Sequence, residues 1–63
     1  MFTMEIGTGN AAFMDPYTGE YGKDYEGQEL CRILRHVIEK IEDGCTYGTV
    51  YDINGNRVGR WQR

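Results

Sequence analysis

The chain carries one histidine, His36, two cysteines, Cys31 and Cys45, and no serine. Nucleophilic catalysis needs a nucleophile, a base within hydrogen-bond reach and a group that orients the base. On a helix, Cys31 points to a different part of the surface from His36, and Asp43 lies nearly two turns away. His36 therefore reads as a solvent-side residue flanked by Arg32 and Lys40 at i±4. Two thiols and one imidazole fall short of the four tightly spaced ligands of a zinc site, so the cysteines read as small apolar residues. No cofactor is expected, and the chain is not expected to be an enzyme.

Two segments resemble ligand loops without completing them. Gly7-Thr8-Gly9-Asn10-Ala11-Ala12 has the glycine spacing of a dinucleotide loop. That chemistry needs a helix N-terminus aimed at the pyrophosphate, and Pro16 and Gly19 follow too soon for one. Asp52-Ile53-Asn54-Gly55-Asn56 has the oxygen-rich start of a calcium loop, but no bidentate Glu follows. A tight turn is the simpler reading of both the composition and the Asn-Gly pair.

Arginine remains the group with binding chemistry. Arg57, Arg60 and Arg63 flank Trp61 with no acid among them, and Arg32 and Arg35 stand beside His36. Guanidinium groups near an indole suit anions or stacked bases, and they equally suit a protein interface. The candidate ligand- or partner-binding residues are thus Arg32, Arg35, His36, Tyr51, Arg57, Arg60 and Trp61. Residues 1–29 hold one basic residue, Lys23, against six acids, a net −5; residues 30–63 hold six basic residues against four acids, a net +2. The sum is the overall −3, and the pI near 4.9 lacks the basic footprint of a duplex-DNA binder. A small anionic ligand needs only one or two arginines, and the acidic first half suits a basic protein partner.

The elements that must position these groups are short. Leu30, Ile33, Leu34, Val37, Ile38 and Ile41 recur at i, i+3, i+4, i+7, i+8 and i+11, one apolar stripe of an amphipathic helix. The helix is expected over about 25–43, with Asp24 as N-cap, Glu26 and Glu29 near the first turn, and Gly44 as the left-handed residue past its end. Cys31 and Cys45 then stand roughly 20 Å apart, too far for a disulfide. Phe2, Met4 and Ile6 alternate with Thr3 and Glu5 as a half-buried strand. Residues 11–14 suggest a short second strand, 15–19 a proline turn, and 19–23 a loop.

After the helix, 46–51 is β-branched and aromatic, Asn54-Gly55 signals a hairpin, and 57–62 returns. A two-residue turn at Asn54-Gly55 would pair Asp52 with Arg57. A three-residue turn, with Gly55 as a bulge, would pair Tyr51 with Arg57 and Val50 with Val58. The second is preferred, because it collects Val50 and Val58 on one face and Tyr47, Tyr51 and Trp61 on the other.

The expected fold is α+β: one amphipathic helix on a small antiparallel sheet of three to four strands, in the order β(β)αββ. The 63 residues form a single domain. So small a domain is marginally stable alone and usually gains support from a partner or a cross-link. One helix covers one sheet face, so Tyr47, Tyr51 and Trp61 are expected to form a homodimer interface on the other. No apolar run suits a membrane span and no signal peptide is evident, so a cytosolic location is expected.

The segments Asn10-Ala11-Ala12-Phe13, Leu30-Cys31-Arg32-Ile33-Leu34-Arg35, Ile41-Glu42-Asp43-Gly44 and Asp52-Ile53-Asn54-Gly55-Asn56-Arg57-Val58-Gly59 together resemble a group of short proteins encoded by phages, prophages and conjugative elements. The similarity covers nearly the whole chain. It carries over no functional residues. What the resemblance implies is context: a non-enzymatic accessory protein acting in the cytoplasm of a bacterial host, of the size of several anti-defence proteins. Such a protein would bind and inhibit a host defence protein, or sequester an anionic nucleotide signal. A structural or weakly nucleic-acid-binding regulator is the third expectation.

Overall fold

The computed structural model describes residues 1–14, 17 and 22–63. Strand β1 (Thr3–Ile6) is followed by a 3-10 turn (Ala11–Phe13), helix α1 (Lys23–Glu42), and strands β2 (Tyr47–Tyr51) and β3 (Arg57–Gln62). The three strands form one antiparallel sheet in the order β1-β3-β2, with α1 against β2 and the 3-10 turn. The fold is the α+β arrangement that the periodicities imply. The proline turn expected at 15–19 lies, apart from Tyr17, outside the described residues.

Helix α1 starts earlier than the sequence suggests. Gly22 is its N-cap, with no side-chain capping bond, and Lys23 is already helical rather than part of a loop. Asp24 and Glu26 sit inside the first turn, where their charges oppose the helix dipole, so Asp24 is a dipole partner and not the N-cap. At the other end Cys45 N–H donates to Lys40 C=O and Gly44 N–H to Ile41 C=O, both at 3.0 Å, with Gly44 at φ +93°. This is a Schellman closure, and it turns the chain straight into β2.

Residues 11–14 do not form the short strand. Asn10 Oδ1 accepts the Ala12 N–H at 3.0 Å and starts a 3-10 turn instead; Met14 makes only a single β-bridge. The turn drives Phe13 into the core, where it is fully buried. Burial of a side chain of this size contributes about 1.5–3 kcal/mol.

The hairpin combines a correct turn with a register that the sequence did not reveal. Gly55 N–H donates to Asp52 C=O at 3.0 Å, Asp52 N–H to Asn56 C=O at 2.9 Å, and Gly55 has φ +84°. That is the three-residue turn with a glycine bulge, and Tyr51 pairs with Arg57 as expected. Val50, however, pairs with Gly59, not with Val58. Val58 is an extra residue in β3, and a one-residue slip sends every later side chain to the opposite face. Trp61 therefore faces Gly48, on the same side as Val50, and is only 3% exposed.

The core is thus Phe13, Ile33, Val37, Val50 and Trp61, with Met4, Ile6, Leu30 and Ile41 packed around it. At two glycines of the sheet an added Cβ would collide with a neighbour. A Cβ on Gly48 would stand 2.6 Å from Trp61 Nε1, and one on Gly59 would run into the carbonyl oxygen of Glu5 on β1. Two of the six residues of the helix stripe are left out of this core. Ile33 and Val37 are buried, whereas Leu34 and Ile38 remain 43% and 53% exposed.

Candidate functional site

A groove of about 260 Å³ runs between α1 and β2. Arg32, His36 and Lys40, one turn apart on the helix, form one rim, and Thr49 and Tyr51 form the other. Ile33, Val37, Val50 and Trp61 make an apolar floor, and Asp52 stands at the hairpin end. The i, i+4, i+8 spacing puts the three basic side chains on one helix flank, and the Val58 bulge puts the indole beneath them.

The hairpin end of the groove is held by two buried carboxylates. Glu29 is paired with Arg32: Arg32 Nε donates to one carboxylate oxygen at 2.5 Å and Nη2 to the other at 3.2 Å. Ile53 N–H also donates to Glu29, at 2.8 Å, and Arg32 Nη2 reaches the Tyr51 carbonyl at 3.2 Å. The Arg32 hydrogen bond holds the Glu29 carboxyl below its usual range, although burial opposes it; the Ile53 N–H and the Arg32 charge act in the same direction as the bond. Arg32 is raised in turn, chiefly by that bond. One ion pair thereby ties the middle of the helix to the hairpin.

Asp52 organises the turn itself. Its Oδ1 accepts the N–H groups of Asn54 and Asn56 at 2.9 and 2.8 Å, and its Oδ2 accepts the side-chain amides of Asn10 and Asn56 at 2.7 and 3.2 Å. Burial pushes the Asp52 carboxyl up, but the combined bonds from Asn56, Asn54 and Asn10 leave it below its usual range. Asp52, the first oxygen of the calcium-like sequence, is thus fully engaged by N–H donors. No group of three or more His, Cys, Asp or Glu residues is placed to hold a metal ion among the described residues.

The residues singled out from the sequence divide among three surfaces. Arg32, His36 and Trp61 meet at the groove, which Tyr51 borders through its main-chain carbonyl. Arg57 and Arg60 lie on the outer sheet face, opposite Tyr51 and Thr49, where Arg60 and Glu5 approach to 4.0 Å with both side chains largely exposed. An ion pair of that kind contributes at most about 1 kcal/mol. Arg35 lies on the far flank of α1 beside Asp24, Gln28 and Cys31.

The dimer interface expected from Tyr47, Tyr51 and Trp61 does not exist as a set. Tyr47 and Tyr51 are exposed on the outer face, but Trp61 is buried beneath the helix because the bulge inverts its side. The exposed, solvated position expected for His36 holds, and Cys31 stands about 140° away around the helix. Glu29 and Asp52 were missed as site residues. The i, i+3 spacing of Glu29 and Arg32, and the Asp that opens an Asn-Gly turn, were the available signals.

No family model, curated protein or solved structure matches the chain. Among the described residues, no helix is long and apolar enough to cross a membrane.

Proposed function

We propose that this chain is a non-catalytic binding protein that inhibits a host defence protein by direct contact, with the α1–β2 groove as its docking surface. One observation carries the reading: Arg32 and His36, joined by Lys40, converge on the rim of an apolar cleft floored by Trp61. The resemblance to short proteins of phages and conjugative elements supports a partner in the cytoplasm of a bacterial host. Sequestration of an anionic nucleotide fits less well. A volume of about 260 Å³ falls below the ~300–1,000 Å³ of small-molecule sites, and Arg32 is already paired with Glu29. A nucleic-acid regulator fits least, since Arg35, Arg57 and Arg60 lie on two surfaces away from the groove.

The test is plaquing of a restricted phage on defended strains that express the chain. Lys40→Glu and His36→Glu are expected to abolish protection while leaving the circular-dichroism spectrum unchanged, and Arg57→Glu with Arg60→Glu to leave it intact. Protection lost only in the outer-face variants would place the docking surface on the sheet and overturn the reading.

Self-association moves with Trp61. In our reading the two-fold contact uses the α1 flank that bears Leu34 and Ile38, since these are the apolar side chains of the helix stripe left uncovered. Pairing two such helices antiparallel, Leu34 against the other copy's Ile38, leaves Arg35 about 7.5 Å along the axis from the other copy's Glu42. Side chains lean toward their own helix N-terminus, so these two lean toward each other. Native mass spectrometry of the wild type and of Leu34→Glu tests this; a monomer in both would refute it.

A further inference from the structure

We propose that β2 accepts an extended segment of the partner as a fourth strand, with an apolar side chain entering the groove over Trp61 and a carboxylate beside Lys40 and His36. The proposal deepens the reading of the groove and rests on it. Sheet order makes β2 an edge strand, paired only with β3 among the described residues. Arg63 N–H donates to Thr46 C=O at 2.9 Å, so the 46/63 pair is hydrogen-bonded. Antiparallel pairs alternate, so Gly48 also turns its main chain toward β3, whereas Tyr47 and Thr49 turn theirs outward. Each offers one donor and one acceptor to an added strand. Farther along, the Tyr51 carbonyl is already taken by Arg32, which marks where the open stretch ends.

Sheet edges exposed to water are normally guarded by charge, proline or a covering element. Tyr47-Gly48-Thr49-Val50-Tyr51 contains no charged residue and no proline. The groove borders this edge, so inward side chains of a strand laid along β2 would fall onto Val37, Val50 and Trp61. Charge sets the polarity of the occupant. Arg32 is offset by Glu29, and Asp52 is held by amide donors, but Lys40 has no ion-pair partner among the described residues. A carboxylate at the Lys40 end is the complement, as in other recognition by strand addition with alternate side-chain pockets. A second copy pairing through β2 is disfavoured, because it would bring the uncompensated Lys40 ammonium groups of both copies to one edge with no carboxylate to meet them.

The experiment is selection from a randomised linear peptide display library on the full chain, followed by synthesis of the enriched peptides. Enriched sequences are expected to place a large apolar residue two positions from an acid. N-methylation of alternate peptide amides, those facing β2, is expected to abolish binding, and N-methylation of the intervening amides to be tolerated. The Thr49 amide is expected to exchange at least about tenfold more slowly when peptide is bound, and Lys40→Glu to weaken binding about five- to tenfold. Groove-dependent peptides that tolerate N-methylation at every amide would overturn strand addition while leaving the groove reading in place. Peptides indifferent to Lys40→Glu and His36→Glu, or no enrichment at all, would overturn both. Thr49 protection that rises with protein concentration in the absence of peptide would overturn the proposal in favour of a second copy.

Discussion

Replacing Glu29 by Gln removes one formal charge from a side chain that accepts three hydrogen bonds, two from Arg32 and one from Ile53 N–H. The amide keeps one acceptor oxygen and turns an NH2 toward donors, so at least one charge-assisted bond is replaced by a donor facing a donor. Removing one partner of a fully buried pair costs about 3–5 kcal/mol. Here Arg32 is 31% exposed and regains water, so about 2–3 kcal/mol is the expected loss. A chain of this length has roughly 3–9 kcal/mol in total, and for so small a domain each kcal/mol moves Tm by about 6–8 °C. Glu29→Gln should therefore lower Tm by about 12–24 °C.

Urea unfolding followed by Trp61 fluorescence, with thermal melting by circular dichroism, measures both quantities. Glu39→Gln, on an exposed residue of the same helix, serves as the control. A Glu29→Gln variant within about 0.5 kcal/mol of wild type, at unchanged m, would show that the Glu29–Arg32–Ile53 network does not hold the helix to the hairpin. A double-mutant cycle with Arg32→Gln would then locate the error, since the two losses should be far from additive.

Three further outcomes follow. Stability should fall on acidification: the Glu29 and Asp52 carboxyls are both depressed in the folded chain. Their contributions are therefore complete above the unfolded values near ~4 and are lost as pH falls through the lower folded ones. Denaturant midpoints measured against pH should show this acid limb, shallower in Glu29→Gln; an unchanged limb would contradict it. Gly48→Val should displace the Trp61 indole, shifting its emission to the red and costing about 1–3 kcal/mol, which fluorescence and urea titration would check. Leu34→Glu should yield a monomer with Tm within a few degrees of that of any monomeric wild type, as sedimentation velocity and melting would show; a large loss of helix would mean that Leu34 is structural.

The local elements were legible because each is dictated by residues close in the chain. The 3.6-residue stripe specifies α1, Gly44 ends it, and Ile53-Asn54-Gly55 makes the turn that pairs Tyr51 with Arg57. These depend on periodicity and backbone freedom, which neighbouring residues control. Even here the helix start moved to Lys23, because a helix without a capping side chain leaves no mark at its first residue. Residues 11–14, open to strand by composition, follow the Asn10 side chain into a 3-10 turn.

What only the tertiary structure decided is which face the aromatic residues occupy, and with it where a site can lie. One extra residue, Val58, reverses β3 from Gly59 onward. No neighbour of Val58 announces this. The slip is stabilised by distant effects: burial of the Trp61 indole over Gly48 and passage of the β1 backbone across Gly59. The same is true of Glu29 and Asp52, ordinary surface acids by sequence, which become buried because a helix, a hairpin and the Asn10 loop converge on them. Hydrophobic periodicity reports what each element would bury. Packing between elements decides which of those side chains find cover, and it left Leu34 and Ile38 outside while taking Trp61 in.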